Sequence, residues 1–340
     1  MSMSENDGVS VVICCFNSSK RIPATLEHLQ KIKTNGISWE VVLVDNNSDD
    51  NTKEKALSIW NNDPVTRLKI VSENKRGLIN ARITGVKSAS YDIISFIDDD
   101  NWIESQWIDK VYTLLNNNQS LAACGGSSEA VFEISPPVWF TDFSFYYAVG
   151  KQQKESGYVT LQKGYLWGAG LTIKKKAWNY LFENGFNNLL KGRTGKSLTA
   201  GEDSEICFAL ILSGWKLWYE DSLRLKHYIP AVRLNVPYLM KIYEGFGKAA
   251  VVLSLYISFI NGHSFKNSNW AYQTLASIKK MFKTGINNLF SSEKNKIKNY
   301  VLWKHDKAYA IELLFSRKKY SDTKQQIVNI YQVSGSKKIS

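Results

Sequence analysis

The stretch Ser95-Phe96-Ile97-Asp98-Asp99-Asp100-Asn101-Trp102 constrains the fold of this chain more than any other. Ile93 to Ile97, with Ser95 as its only polar residue, reads as a strand buried on both faces, as in a parallel sheet. It ends in three consecutive carboxylates that an apolar core cannot hold unpaired, so the acids belong at the carboxyl end of the strand. Ligands of open α/β sheets bind outside that edge. Clustered oxygen ligands there suit a divalent cation carrying a phosphorylated substrate. A solvated acidic turn before a helix accounts for the triplet alone equally well, because Asp favours helix N-caps.

The rest of the first hundred residues repeats one unit. Val9–Cys15 is a strand, Phe16-Asn17-Ser18-Ser19 a polar loop, and the helix after it carries Pro23 in its first turn with Leu26 and Leu29 on one face. Residues 40–44 form a second strand running into Asp45-Asn46-Asn47-Ser48-Asp49-Asp50-Asn51-Thr52, followed by a helix to Trp60. Residues 67–71, the turn Lys75-Arg76-Gly77 and a helix over 78–88 make a third copy. Alternation of this length predicts an α/β fold with a mostly parallel central sheet and right-handed crossovers. One sheet edge then gathers Asn17, Asp45, Asn46, Lys75, Arg76 and the acidic triplet.

Beyond a helix near 104–115 and a strand near 121–124, the pattern loosens. Residues 125–164 hold Pro136-Pro137, Trp139, Phe140, Phe143, Phe145, Tyr146 and Tyr147 without a clean period. Such a segment is either a cover or acceptor platform or ordinary loop packing. Gly168-Ala169-Gly170 at a strand start would let a ligand approach the backbone closely. Gly201-Glu202-Asp203-Ser204-Glu205 opens an apolar helix, where acids also serve as simple capping charges. Two short strands, 216–219 and 223–226, follow, the second ending at His227.

Charge separates the last third from the rest. Residues 231–340 contain 18 Lys and Arg against 5 Asp and Glu, a net of +13, leaving 25 against 26 in residues 1–230. The two parts therefore meet different partners. Residues 238–260 read as a helix interrupted at Gly245-Phe246-Gly247, with only 249–260 uncharged. Spanning a bilayer takes roughly 20 apolar residues, so no crossing is expected. Alternating apolar and basic residues such as Ile278-Lys279-Lys280-Met281-Phe282-Lys283 suit either an anionic membrane surface or a solvated basic face. Cys14, Cys15, Cys124 and Cys207 lie in or beside apolar runs without zinc spacing and read as reduced core residues. The N-terminus lacks a basic start followed by an apolar stretch, so a cytoplasmic location is expected.

Six motifs in order resemble family 2 glycosyltransferases: Val11-Val12-Ile13 through Asn17; the 44–52 loop; Asn74, Gly77, Ala81-Arg82 and Gly85; Asp98–Asp100; Gly168-Ala169-Gly170; and Gly201-Glu202-Asp203 with Glu205. The resemblance covers about residues 9–228. It implies a GT-A type fold over residues 1–228, with a nucleotide-sugar half at about 9–120, an acceptor half at about 121–228, and a basic helical extension over 229–340. By position, Phe16 and Asn17 would line the base and ribose pocket, and Asp45 with Asn46 would meet the base, although the family more often carries a second aspartate at 46. Arg76 or Arg82 would lie near the nucleotide. Asp98, Asp99 and Asp100 would form the acid motif, with Asp98 or Asp99 on the ribose side. Asp98 and Asp100 would act as the metal pair. Gly168, Ala169, Gly170 and Glu202 would approach the donor. Asp203 would be the catalytic base, and His227 either a metal or diphosphate contact or a structural histidine.

The resemblance further implies Mn²⁺ or Mg²⁺, a nucleotide-sugar donor with UDP-sugar the expected class, and inversion at the anomeric carbon. The Gln/Arg-x-x-Arg-Trp motif of processive members is missing after Glu202-Asp203, so a single sugar per encounter is expected. The acceptor would be a glycan or lipid-linked hydroxyl in bacterial surface polysaccharide assembly, with the enzyme peripheral on the inner membrane face. A nucleotidyltransferase is the competing enzyme class, but residues 14–20 lack its glycine-rich phosphate loop. A nucleic-acid-binding protein would use the basic third; no nucleic-acid motif occurs there, and the acidic sheet edge would go unexplained.

Overall fold

The computed structural model describes residues 6–60, 66–161, 163–190, 192, 200–263 and 269–336. In chain order the elements are β1 Val9–Cys15, α1 Ile22–Leu29, β2 Trp39–Asp45, α2 Thr52–Trp60, β3 Arg67–Ser72, α3 Leu78–Ser88, β4 Ile93–Asp98, β5 Asn101–Ile103, α4 Trp107–Asn116, β6 Leu121–Phe132, α5 Phe140–Phe143, β7 Gly157–Tyr158, β8 Thr172–Lys174 and α6 Lys175–Glu183. After these come α7 Glu202–Leu212, β9 Lys216–Ile229, α8 Val236–Ile260, α9 Trp270–Leu289, α10 Lys296–Phe315 and α11 Arg317–Ser336. Packing divides the chain into two compact units.

The first unit holds residues 1–159, 165–183 and 215–230 and contains the whole sheet, nine strands among the described residues. Its order is β3-β2-β1-β4-β8-β6-β9-β5, with β7 on β9. β3, β2, β1 and β4 run parallel, as the repeated strand–helix unit predicts. The other half is mixed: β8 is antiparallel to both β4 and β6, while β6 and β9 are parallel. Val9, Val11, Ile13, Val41, Leu43, Ile93 and Ile97 are buried against Leu26, Leu29 and Trp107, so one layer of the core lies under α1 and α4. Burying one such side chain contributes about 1.5–3 kcal/mol, which fixes the register. That register sets Cys15 beside Asp45, and Cys14 beside Asp98, along one edge.

Two expected short strands are one strand. β9 runs unbroken through Glu220-Asp221-Ser222, and the register against β6 jumps between Gly125 and Ser127. The polar residues that imitate a turn bond one another, Ser222 Oγ donating to Glu220 Oε1 at 2.8 Å. Gly126 admits the bulge, since a Cβ there would meet the Leu223 carbonyl oxygen at 1.8 Å.

The second unit holds residues 160–164, 184–214 and 231–340. The packing thus differs from a boundary at 228, because α7 belongs with the C-terminal helices. Its Phe208 stacks on Tyr256 of α8, with ring centroids 6.0 Å apart. α8 is also uninterrupted. Gly247 does not break it but lets α10 approach, for a Cβ there would lie 2.3 Å from the His305 carbonyl oxygen. Continuity makes α8, alone among the described residues, long and apolar enough to cross a bilayer, in contrast to the expected 12-residue uncharged run. Half of its apolar window is buried within the protein. Val251, Val252 and Leu255 are buried, as expected of a core helix.

Candidate active site

The parallel half of the sheet brings three loops together at its carboxyl edge. Asn17, just past β1, has φ +50, a left-handed conformation that Asn adopts more readily than most residues. Its backbone N–H donates to Ser48 Oγ at 3.0 Å, and its Oδ1 accepts from Asp49 N at 2.8 Å. Ser18 N donates to Thr52 Oγ1 at 2.8 Å and Ser19 N to Asp50 Oδ2 at 3.0 Å. The loops after β1 and β2 are therefore stitched together without a ligand. Phe16, whose N–H donates to Ser18 Oγ at 3.1 Å, carries the Arg76 guanidinium 5.0 Å above its ring. Arg76 is exposed and pairs with Asp49 at 3.0 Å.

Asp45 and Asn46 divide their work. Asp45 Oδ2 lies 3.2 Å from Lys53 Nζ, and its Oδ1 accepts from Ser48 N at 3.3 Å. Asn46 is spent on the protein: Nδ2 donates to the carbonyls of Glu73 and Lys75, both at 2.9 Å, and Oδ1 accepts from Gly77 N at 2.7 Å. Its amide is a clip across the β3–α3 loop; the family resemblance implies a place for it against the base. Gly77 has φ +130, so glycine is needed where the clip closes. Arg82 is buried on α3 with its guanidinium 5.2 Å from the Phe96 ring centroid.

The triplet is divided too. Asp98 ends β4 in register with Cys14. Asp99 turns toward the β1–α1 loop: its Oδ1 accepts from Arg21 Nε at 3.2 Å, and its Oδ2 accepts from Arg21 Nη2 at 2.6 Å and from Ser18 Oγ. Its carbonyl accepts from Thr25 Oγ1 at 2.8 Å. Asp99 therefore anchors the β1–α1 loop, where the sequence offers it a place on the ribose side. Asp100 is buried, and its Oδ1 lies 3.5 Å from His227 Nε2. Strand pairing explains the meeting, because β5 sets Asn101 opposite His227 of β9 and Tyr228 N donates to the Asp100 carbonyl at 2.9 Å.

Among the described residues no three His, Cys, Asp or Glu side chains gather into a metal cage of their own. One carboxylate and one imidazole converge, with Asp98 two residues from Asp100. That donor set fits a hard cation that takes its remaining ligands from substrate phosphates and water.

Gly170 has φ +75 and donates its N–H to the Phe96 carbonyl at 3.1 Å. A Cβ there would meet Leu225 and Trp107 at 2.7 and 2.8 Å, so its neighbours require glycine even without a ligand. Ala169 is buried, and Gly168 accepts the Leu171 N–H at 3.2 Å.

In the second unit, Gly201 at φ +100 precedes α7, whose first turn carries Glu202, Asp203 and Glu205. Glu202 is buried beside Gly192, where a Cβ would stand 2.9 Å from its carboxyl carbon. Asp203 is half-buried, and its Oδ1 accepts from Ser204 N at 2.7 Å. Glu205 is fully buried and accepts from Leu190 N at 2.9 Å, Leu189 N at 3.0 Å, Asn188 Nδ2 at 3.2 Å and Gln326 Nε2 at 3.3 Å. Burial pushes its carboxyl up to about 7 despite those donors.

Sequence reading missed Arg21 and Lys53 as partners of Asp99 and Asp45, and Glu205 as an anchor. Only Glu205 carried a signal, an acid followed directly by the apolar run Ile206-Cys207-Phe208.

The family described as Glycosyl transferase family 2 matches residues 10–181, half of the chain. EpsH of Bacillus subtilis is 26% identical over 178 residues, 52% of this chain and 47% of that protein. The chain thus spans about half the length of that relative. The Escherichia coli protein named UDP-Glc:alpha-D-GlcNAc-diphosphoundecaprenol beta-1,3-glucosyltransferase WfgD is 32% identical over 114 residues, 33% of this chain and 43% of its own. The S. aureus TarS 1–349 crystal structure superposes with a TM-score of 0.51 at 16% identity, covering 97% of this chain and 90% of that one. The same fragment has been solved in complex with UDP, with a TM-score of 0.50 at 15% identity, covering 92% and 91%. The chain belongs to the family 2 glycosyltransferases, and its fold is of the GT-A type.

Proposed function

We propose that this protein is a metal-dependent, inverting glycosyltransferase that moves one sugar from a nucleotide-sugar, with UDP as the nucleotide, to a hydroxyl of a glycan or lipid-linked acceptor in bacterial surface polysaccharide assembly. The observation that carries the reading is the approach of His227 Nε2 to 3.5 Å from Asp100 Oδ1 at the carboxyl end of β4. UDP bound to the TarS fragment and the diphosphoundecaprenol acceptor in WfgD's name support the choice of donor and acceptor. Asp98, Asp100 and His227 would hold Mn²⁺ or Mg²⁺. Such an ion, when bound, neutralises charge on the diphosphate leaving group.

The chain's own residues do the rest. Phe16, Asn17 and Asp45 receive the nucleoside, Arg76 and Arg82 add positive charge beside it, and Asn46 and Asp99 hold the receiving loops in shape. Asp203 accepts the proton of the acceptor hydroxyl as its oxygen bonds to the anomeric carbon. The bond from that carbon to the diphosphate oxygen breaks, and the electron pair leaves with the diphosphate. One displacement from the opposite face inverts the centre.

With a UDP-sugar and a lipid-diphosphate glycan as acceptor, Asp203→Asn should leave UDP affinity unchanged while transfer falls by about 10²–10⁴-fold. Transfer by Asp203→Asn at the wild-type rate would refute the assignment.

A further inference from the structure

α9 is built inside out. Its buried positions include Thr274 and Ser277, whose hydroxyls are satisfied by the helix's own carbonyls of Trp270 and Thr274 at 2.8 and 2.7 Å. Gly285 lies against Trp303 of α10, and Lys280 reaches Asp306 of α10 at 3.0 Å. Small and polar residues thus make the inner contact. Tyr272, Leu275, Phe282, Ile286 and Leu289 are each more than half exposed, and Phe290, directly after the helix, is 84% exposed. At 100° per residue these six fall within one arc of about 100°; the exposed Lys279 lies within that arc, and the exposed Lys283 lies just beyond one edge of it.

We propose that this face of α9 is a docking surface for an anionic lipid bilayer. An apolar strip with one lysine within it and one at its edge matches a bilayer interface, where the rings and aliphatic chains enter the acyl boundary and the long lysine stems carry their ammonium groups back among anionic headgroups. The net of +13 on residues 231–340 selects this occupant. A second copy would bring the same positive charge against itself, and a nucleic acid would leave the apolar strip exposed to water. The surface is independent of the catalytic assignment, so its failure leaves that assignment standing.

The test uses the full chain and sedimentation with vesicles of phosphatidylcholine alone or with phosphatidylglycerol. Binding is expected only to the anionic vesicles and should weaken at high salt. Lys279→Gln with Lys283→Gln should reduce it roughly 25-fold, from about fivefold per lysine. Phe282→Ser with Ile286→Ser and Leu289→Ser should reduce it by at least about tenfold with an unchanged thermal midpoint, since these side chains leave the folded core untouched. Three results would overturn the proposal: equal binding to neutral and anionic vesicles, wild-type binding by the serine variant, or a light-scattering dimer that the serine variant converts to monomer.

Discussion

Asn46 gives the sharpest test of how the donor loops are held. Its side chain makes three bonds to backbone groups of residues 73, 75 and 77 and is almost fully buried. Asn46→Ala removes all three, at about 1 kcal/mol each, for a loss of about 3 kcal/mol. Asn46→Asp keeps an acceptor for Gly77 N but turns a carboxylate toward the Glu73 and Lys75 carbonyls, so it should cost no less. At 2–4 °C per kcal/mol for a unit of this size, both variants should melt roughly 6–12 °C below wild type. Differential scanning fluorimetry reads that shift. A UDP titration should show weaker binding in both, because Arg76 and Gly77 sit on the loop that the clip closes. If Asn46→Asp melted within about 1 °C of wild type and bound UDP more tightly, Asn46 would be a base-reading residue and the clip incidental.

Other expectations follow from single contacts. Glu205, raised from 4.5 to about 7 by burial, holds its proton more tightly when folded. Its contribution is complete below pH 4.5 and is lost as pH rises through 7, a fall of about 3 kcal/mol. Urea unfolding at pH 5 and 7.5 should show that Glu205→Gln lacks this part of the slope; parallel slopes would exclude it. Gly247→Ala, driven against the His305 carbonyl, should cost about 1–3 kcal/mol through overpacking between α8 and α10. Arg21→Ala should cost about 1.5–3 kcal/mol by removing charged bonds to the buried Asp99, and UDP affinity should fall as the β1–α1 loop loosens.

The parallel half of the sheet was legible because its signals are local. Each strand is an apolar run, each run ends in a polar loop, and the order of motifs matched a family. The division of labour among the acids was not legible. Which of the three acids anchors the β1–α1 loop depends on Arg21 and Ser18, 78 and 81 residues away, and a sequence of three identical side chains cannot express it. Asn46 hid for a related reason: its partners are backbone groups, which leave no trace in residue identity. At β9, Glu220-Asp221-Ser222 looks like a turn, yet Gly126 across the pair accommodates a bulge. In α8, Gly245-Phe246-Gly247 looks like a break, yet the small residue serves a neighbouring helix. In both places a glycine marked close approach rather than chain reversal.

The proposal that Asp100 and His227 hold a cation shared with the donor diphosphate is tested most directly by titrating UDP into the protein calorimetrically with Mn²⁺ or with EDTA. The wild type should bind at least about tenfold more tightly with Mn²⁺, the effect of one lost ligation contact being of that order. In Asp100→Ala the gain from Mn²⁺ should vanish, and in His227→Ala it should shrink, with both variants folded by thermal midpoint. Equal wild-type affinity in Mn²⁺ and EDTA, or a full Mn²⁺ gain in Asp100→Ala, would contradict the account.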